Sequence, residues 1–396
     1  MLTLATLPPG FHDDPYPAYA ALRERAPVCI QPDGSVILSR YDDLIRVYRD
    51  PRRFISDKRA VFGPKYGEGA PLYAHHTTSL VFNDPPLHTR VRKIMVGALT
   101  PRALARLRPG LEALVEGLLD RLEDRATPDL IADFASAIPV EIIGNLFDIP
   151  HGERGPLRDW SLAILGALEP VLTPDQHAAG NRAVVEFTAL LRALADHRRR
   201  HPGDPETDVL TRLIAGDGEG RLTEAELYQN CIFILNAGHE TTTNLIGNSL
   251  ALLDRHRQAR AALCADPALI APAVEEVLRL ESSNQFGNRL TAEAITLHGR
   301  AIPAGTDLHL CIGAANRDPR AFDDPDTFRP ERQPNRHLAF GGGAHTCVGL
   351  TLARMEGQVA LARFLARFPE YALADGAIRS NRVRFRGYTA LPAILR

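Results

Sequence analysis

Apolar residues recur at helical spacing through most of residues 85–200, with polar residues filling the positions between, and this predicts a mainly helical chain. Thr100-Pro101 reads as a helix start, a cap followed by proline in the first turn. Thr223-Glu224-Ala225-Glu226 has the form of a capping box. The helix it opens is predicted to run to about Arg257, on the order of 50 Å at 1.5 Å per residue. Shorter helices are predicted over Pro15–Arg23, Tyr41–Arg49, Ala268–Leu280 and Leu350–Phe364. Two strand patterns flank the hairpin signal Asp33-Gly34 within Val28–Ser39, and strand-like pieces fall at Asn288–Leu297 and Thr306–Ile312. Residues 57–80, rich in Gly, Pro, Tyr and His and without a period, predict a long loop. Asp318–Pro334 reads as an irregular, proline-rich stretch, and Arg198-Arg199-Arg200 as a solvated helix end without a partner. There is no internal repeat, low-complexity tract or linker. The expected fold is therefore mainly α with small β-sheets (α+β), in a single domain over 1–396.

Two segments break the pattern. The long helix carries Asn236-Ala237-Gly238-His239-Glu240-Thr241-Thr242 directly after the apolar Ile232–Leu235. Buried polar groups cost about 1–3 kcal/mol each unless partnered, and a mid-helix threonine can bond back to the preceding turn. The stretch suggests a locally opened groove with a hydroxyl and a carboxylate facing a cavity. The second segment, Phe340 to Gly349, sets Cys347 in a glycine-rich loop just before a helical pattern. A cysteine entering a helix N-terminus is favoured as thiolate, the metal-binding form. One cysteine without a second ligand nearby suits the axial position of a haem better than a zinc site.

Composition narrows the function classes. The chain is 45% hydrophobic and 24% charged, ordinary for a globular protein, and its net charge of −2 gives no global attraction to nucleic acid. Five cysteines at 29, 231, 264, 311 and 347 show no paired spacing, which argues for a reducing compartment such as the cytoplasm. Cys29, Cys231, Cys264 and Cys311 read as packing residues. No signal peptide and no membrane span is expected, and neither a dinucleotide fingerprint nor an iron–sulfur cysteine run is present.

Phe340, Gly343, His345, Cys347 and Gly349 fall at the spacing F-x-x-G-x-H-x-C-x-G, which resembles the haem-ligand loop of the cytochrome P450 monooxygenases. Ala237-Gly238-His239-Glu240-Thr241-Thr242 resembles the same family's long-helix signature, and Glu276 with Arg279 its E-x-x-R pair. The resemblance covers the chain from Pro15 onward. It implies a triangular-prism-like fold with a b-type haem between the long helix and the cysteine-loop helix. Cys347 would ligate the iron, with Ala237, Gly238, Phe340 and Gly349 bordering the cofactor. Thr241 would hydrogen-bond bound dioxygen and Glu240 would link it to the proton supply. Glu276, Arg279 and Arg332 would clamp the cysteine loop. His88, Arg92, Arg289 and His345 would bind the propionates.

The resemblance also implies a substrate pocket lined by Tyr73, His75, His76 and Leu80, by Leu165, Leu168, Leu235 and Ala237, by Ser283, Asn284, Gln285 and Phe286, and by Tyr388. Ser282-Ser283-Asn284-Gln285 is more polar than the segment many relatives carry, which suggests a substrate with a hydrogen-bonding or anionic group. Electrons would come from a ferredoxin or flavodoxin with its reductase, docking on a basic patch of Lys93, Arg102, Arg106, Arg336 and Arg354. The implied reaction inserts one oxygen atom of O2 into a small organic substrate. A peroxide-driven peroxygenase on the same fold, a haem-thiolate ligand sensor, and zinc binding by His345 and Cys347 stay open as alternatives.

Overall fold

The computed structural model describes residues 2–205, 208–216 and 220–395. It is mainly helical with small sheets, and its contacts divide into two compact units. The first comprises the chain up to Phe54, Pro109–Ile138 and everything from Thr241 onward; the second comprises Ile55–Arg108 and Pro139–Glu240.

In the first unit the hairpin forms as its sequence predicts. Val28–Ile30 pairs antiparallel with Val36–Leu38, and Asp33 Oδ1 accepts from the Ser35 N–H at 2.9 Å and the Ser35 hydroxyl at 2.7 Å. Val36–Leu38 runs parallel to Asp307–Cys311, which pairs antiparallel with Phe286–Thr291. Alternation along these strands divides two apolar clusters. Val28, Val36, Leu38, Leu308 and Leu310 meet Leu44, Val47 and Tyr48 of the helix Tyr41–Arg49, together with Leu338. Cys29, Ile37, Phe286 and Cys311 meet Tyr16, Tyr19 and Leu22 of the helix Tyr16–Arg25.

The second unit is helical. Residues 57–80 are not a loop: they hold the helices Arg59–Tyr66 and Pro71–Thr78. Leu72, His75, His76 and Thr77 are all buried. A short helix buried on several sides shows no apolar stripe, so periodicity could not reveal it. Tyr66 donates its hydroxyl to Ala167 O at 2.7 Å, and Lys65 its ammonium to Glu169 O at 2.7 Å. The Arg198–Arg200 run ends the helix Pro174–Arg200 as expected, with Arg199 and Arg200 exposed. Arg198 is paired with Asp148, and Arg199 with Glu224 and Asp196.

The long helix spans Glu224–Arg255, and Thr223 and Glu226 form the expected reciprocal cap at 2.8 and 3.2 Å. Its backbone stays helical through residues 236–242, so the expected local opening is absent there. Among the described residues no helix is long and apolar enough to cross a membrane. Cys264 is exposed rather than packed.

Glu281, 3% exposed, sits at the end of the helix Ile270–Leu280 among four arginines. Arg386 Nε donates to it at 2.8 Å, while the two Nη groups of Arg386 reach His12 O and Asp13 O at 3.0 and 2.9 Å. Asn248 of the long helix donates to Glu281 O and Arg386 O at 3.2 and 2.9 Å. Burial opposes the Glu281 charge, yet Arg386, Arg379, Arg317 and Arg255 together hold its carboxyl below the ordinary range. A depressed carboxyl contributes stability above its unfolded pKa, and that contribution is lost as pH falls through the folded value. Arg386→Met should therefore cost up to about 3 kcal/mol at pH 7, the low end of the range for unpairing a buried charge, since Arg317 and Arg379 remain. In urea unfolding the deficit should shrink as pH is lowered through the carboxylate range.

Candidate functional site

The cysteine loop is built by close packing against the helix Tyr41–Arg49. Gly343 has φ +66°, and a Cβ there would stand 1.9 Å from Tyr48 O, so only glycine fits. Cys347 N–H donates to Phe340 O at 2.9 Å, closing the loop just before the helix Leu350–Arg367. Cys347 is exposed and His345 half-buried. A Cβ on Gly349 would lie 4.0 Å from the Cys347 sulfur. The other four thiols, Cys29, Cys231, Cys264 and Cys311, are pushed up by burial, Cys311 to about 12.

Two adjacent carboxylates on the helix Ile270–Leu280 hold the flanks of this loop. Glu276 and Arg279 are both fully buried and meet in a two-point pair, each contact 2.8 Å. Arg332 Nε donates to both oxygens of Glu276 at 3.0 and 3.1 Å. Glu275 takes Arg354 on both oxygens at 2.7 Å and His337 at 3.1 Å. Burial opposes the Glu275 charge, but the hydrogen bonds from His337 and Arg354 hold its carboxyl at about 2. Arg354 also lies 4.9 Å from the Phe340 ring and within electrostatic reach of Cys347. Its charge is thus engaged by Glu275. Arg336, Lys93, Arg102 and Arg106 are exposed, with Arg106 4.0 Å from Asp204.

Arg289 lies on the strand Phe286–Thr291, 8% exposed, with Nη1 on Asn288 O at 2.6 Å and its guanidinium 5.5 Å from the Tyr48 ring. Thr241 is half-buried, while Thr242 is buried and hydrogen-bonds Glu356 of the helix Leu350–Arg367. In the second unit, His88 is buried and Arg92 half-buried one turn apart on the helix Leu87–Ala98. Glu240 is buried there, and a Cβ on Gly238 would meet Ile143 Cδ1 at 2.5 Å. Burial lowers His239 to about 4. Asn236 Oδ1 accepts from Ser161 at 2.8 Å.

The residues expected to line a pocket have mixed placements. Tyr73, Asn284, Leu168, Ala237 and Tyr388 are half-buried; Leu80, Leu165 and Leu235 are buried. His75 is buried against Gln229 at 3.0 Å and burial lowers it to about 4, while His76 stacks on Tyr66. Both are packing residues of a helix. Phe286 belongs to the apolar cluster around Tyr19. Gln285 donates to Ser282 O at 2.7 Å and the Ser282 hydroxyl to Leu278 O at 2.7 Å, while Ser283 is buried. Arg379 covers the Tyr388 ring at 3.9 Å. Ser282 and the Gln285 amide N–H thus serve the backbone, while the buried Ser283 Oγ and Gln285 Oε1 have no hydrogen-bond partner among the described residues.

An exposed thiol at a helix N-terminus, in a glycine cradle with cationic side chains nearby, has the donor chemistry of a haem-thiolate centre. The Cytochrome P450 family profile matches residues 268–374. The chain is 37% identical to Vitamin D(3) 25-hydroxylase of Pseudonocardia autotrophica, over 97% of this chain and 94% of that protein. It is 33% identical to 6-deoxyerythronolide B hydroxylase of Saccharopolyspora erythraea, over 98% and 97%. The solved structure of P450BioI in complex with a hexadec-9Z-enoic acid ligated acyl carrier protein superposes with a TM-score of 0.91 and 32% identity, over 98% of this chain and all of that one. The chain belongs to the cytochrome P450 family. It is a haem-dependent monooxygenase acting on a small organic substrate.

Sequence reading passed over Glu356, although it is the lone carboxylate of the apolar stretch Leu350–Phe364. It is 2% exposed, and Oε1 has no hydrogen-bond partner among the described residues. Burial raises its carboxyl to about 8 against the Thr242 hydrogen bond, from an ordinary 4.5. A raised carboxyl destabilises the fold progressively between the two values, because the unfolded chain sheds its proton first. Glu356→Gln should match the parent in thermal melts at pH 4.5 and melt higher at pH 8. An equal gap at both pH values would contradict a neutral buried Glu356.

Proposed function

We propose that Cys347 would supply the thiolate that holds the iron of a b-type haem. His88, Arg92, Arg289 and His345 pair with its propionates, and Ala237, Gly238, Phe340 and Gly349 border it. The observation that carries this reading is the exposed Cys347 thiol at the start of the helix Leu350–Arg367, in a loop held on both flanks by Glu275 and Glu276. When bound, the haem iron supplies dioxygen activation, for which thiolate donation favours heterolytic O–O cleavage.

The chain's own residues supply positioning and protons. The helix N-terminus favours the charged sulfur of Cys347. The Thr241 hydroxyl holds a proton beside the reacting oxygen, and the Glu240 carboxyl replenishes it. Arg279, Glu276 and Arg332 fix the loop that presents the sulfur. The substrate is a small organic molecule that undergoes hydroxylation, in keeping with the hydroxylases among the relatives. Electrons come from a ferredoxin or flavodoxin with its reductase, drawn by Lys93, Arg102, Arg106 and Arg336. The five cysteines, sparse and without paired spacing, fit a cytoplasmic setting. The enzyme works as one domain over 1–396, a reading supported by relatives aligned across 97% of the chain.

The reduced carbon-monoxide complex should show the shifted Soret band of sulfur coordination, and Cys347→Ser should abolish both band and turnover. A serine variant that keeps them would end this assignment. Thr241→Ala should leave the band intact while product formed per dioxygen consumed falls, with turnover down by roughly 10²-fold, the lower end for a lost proton-transfer group.

A further inference from the structure

One residue joins the cysteine loop to the strand that carries Arg289. Tyr48 lies in the last turn of the helix Tyr41–Arg49 and is 6% exposed. Its carbonyl oxygen stands where a Gly343 side chain would be, 1.9 Å from the Cβ position. Its own Cβ would meet a Gly342 side chain at 3.1 Å, and its hydroxyl a Gly287 side chain at 2.8 Å. The guanidinium of Arg289, two residues along the strand from Gly287, lies over its ring at 5.5 Å. Tyr48 also shares an apolar cluster with Leu338, two residues before Phe340. The loop that ends at Cys347 and the strand that carries Arg289 thus rest on one aromatic residue. Burial pushes the phenol up to about 12, so this support stays neutral across the working pH range.

We propose that Tyr48 is a positioning residue for the haem centre: its ring fixes the Arg289 guanidinium, and its backbone and Cβ seat the Gly342–Gly343 turn that presents Cys347. The proposal rests on the haem-thiolate reading given above. A cation held over an aromatic face has a set direction as well as a set place. The pair therefore presents a charge to the cofactor's carboxylates whose orientation is fixed before binding. A fixed positive charge near the iron favours the reduced, more negative state, so loosening Arg289 lowers the reduction potential.

The test uses the haem-loaded full chain as Tyr48→Phe, Tyr48→Leu, Arg289→Leu and the Tyr48→Leu/Arg289→Leu double variant. Far-UV circular dichroism and melting temperature confirm the fold of each, and ferric/ferrous potentials are measured by spectroelectrochemistry. Tyr48→Phe keeps the ring and should hold the parent potential. Tyr48→Leu should lower the one-electron equilibrium constant by about twofold or more, roughly 18 mV at 59 mV per decade. The double variant should be no lower than Arg289→Leu alone, the non-additive result that marks two residues acting as a unit. An unchanged potential in Tyr48→Leu overturns the proposal, as does a fully additive double variant. A Tyr48→Phe variant as impaired as Tyr48→Leu also overturns it, because the hydroxyl would then be the active part. Failure of the haem-thiolate reading would show separately, as a parent enzyme without the sulfur-type carbon-monoxide band.

Discussion

The site depends on a buried, irregular stretch of backbone finding partners for its carbonyl groups. Residues 316–335 carry little regular structure, so few of their carbonyls are met by a helix or sheet ladder. Two guanidinium groups do that work. Arg279 donates to Asn316 O, Pro325 O and Thr327 O, and Arg332 to Asp323 O, Asp324 O and Thr327 O. Glu276 gathers both cations at one point and also accepts from the Arg329 N–H at 3.1 Å and the Asn335 amide at 3.1 Å. The planar fork of arginine suits this role, because each head reaches several oxygens in fixed directions. Removing Glu276 would leave two buried cations facing each other, so the triad stands or falls as a unit.

From the triad the constraint passes to the cysteine loop through short connections. The Asn316 side chain accepts from Leu338 N–H at 2.7 Å and donates to the Ser282 hydroxyl at 2.8 Å. It ties the start of the loop to the segment after the clamp helix. Glu275, next in sequence to Glu276, holds Arg354 on the far side of Cys347. Successive positions on a helix point about 100° apart. Two adjacent carboxylates can therefore serve the two flanks of one loop. Phe340 then closes the loop through its carbonyl, and Arg354 covers its ring.

Much of this was legible because it rests on local rules. The helix Tyr41–Arg49, the hairpin at Asp33-Gly34 and the reciprocal cap at Thr223 and Glu226 all follow from spacing and turn chemistry, and all formed. The arginine partner of Glu276 came from family resemblance, since an E-x-x-R pair alone does not say which distant cation will join it. The helices over 59–66 and 71–78 were hidden because their buried positions face several neighbours at once. Tyr48 and Glu356 were hidden for a different reason. Each looks like an ordinary member of an amphipathic helix until the fold sets Arg289 beside one and Thr242 beside the other. A contact between distant segments leaves no periodic trace.

The same accounting divides the polar run after the clamp helix between groups held by backbone and groups left over. Ser282, the Gln285 amide N–H and Asn248 of the long helix are each hydrogen-bonded to a nearby carbonyl, whereas Ser283 Oγ and Gln285 Oε1 have no partner among the described residues. These bonds fix the path of 281–286 against the C-terminal turn at Arg384 and Arg386, whose backbones meet Gln285 and Ser283 at 2.7 and 2.8 Å. A segment built this way gains rigidity. Side chains already satisfied by the backbone would have to break those bonds to hold a ligand. The Ser283 and Gln285 oxygens that the backbone leaves without a partner face no such cost, so any polar contact this segment makes would fall to them.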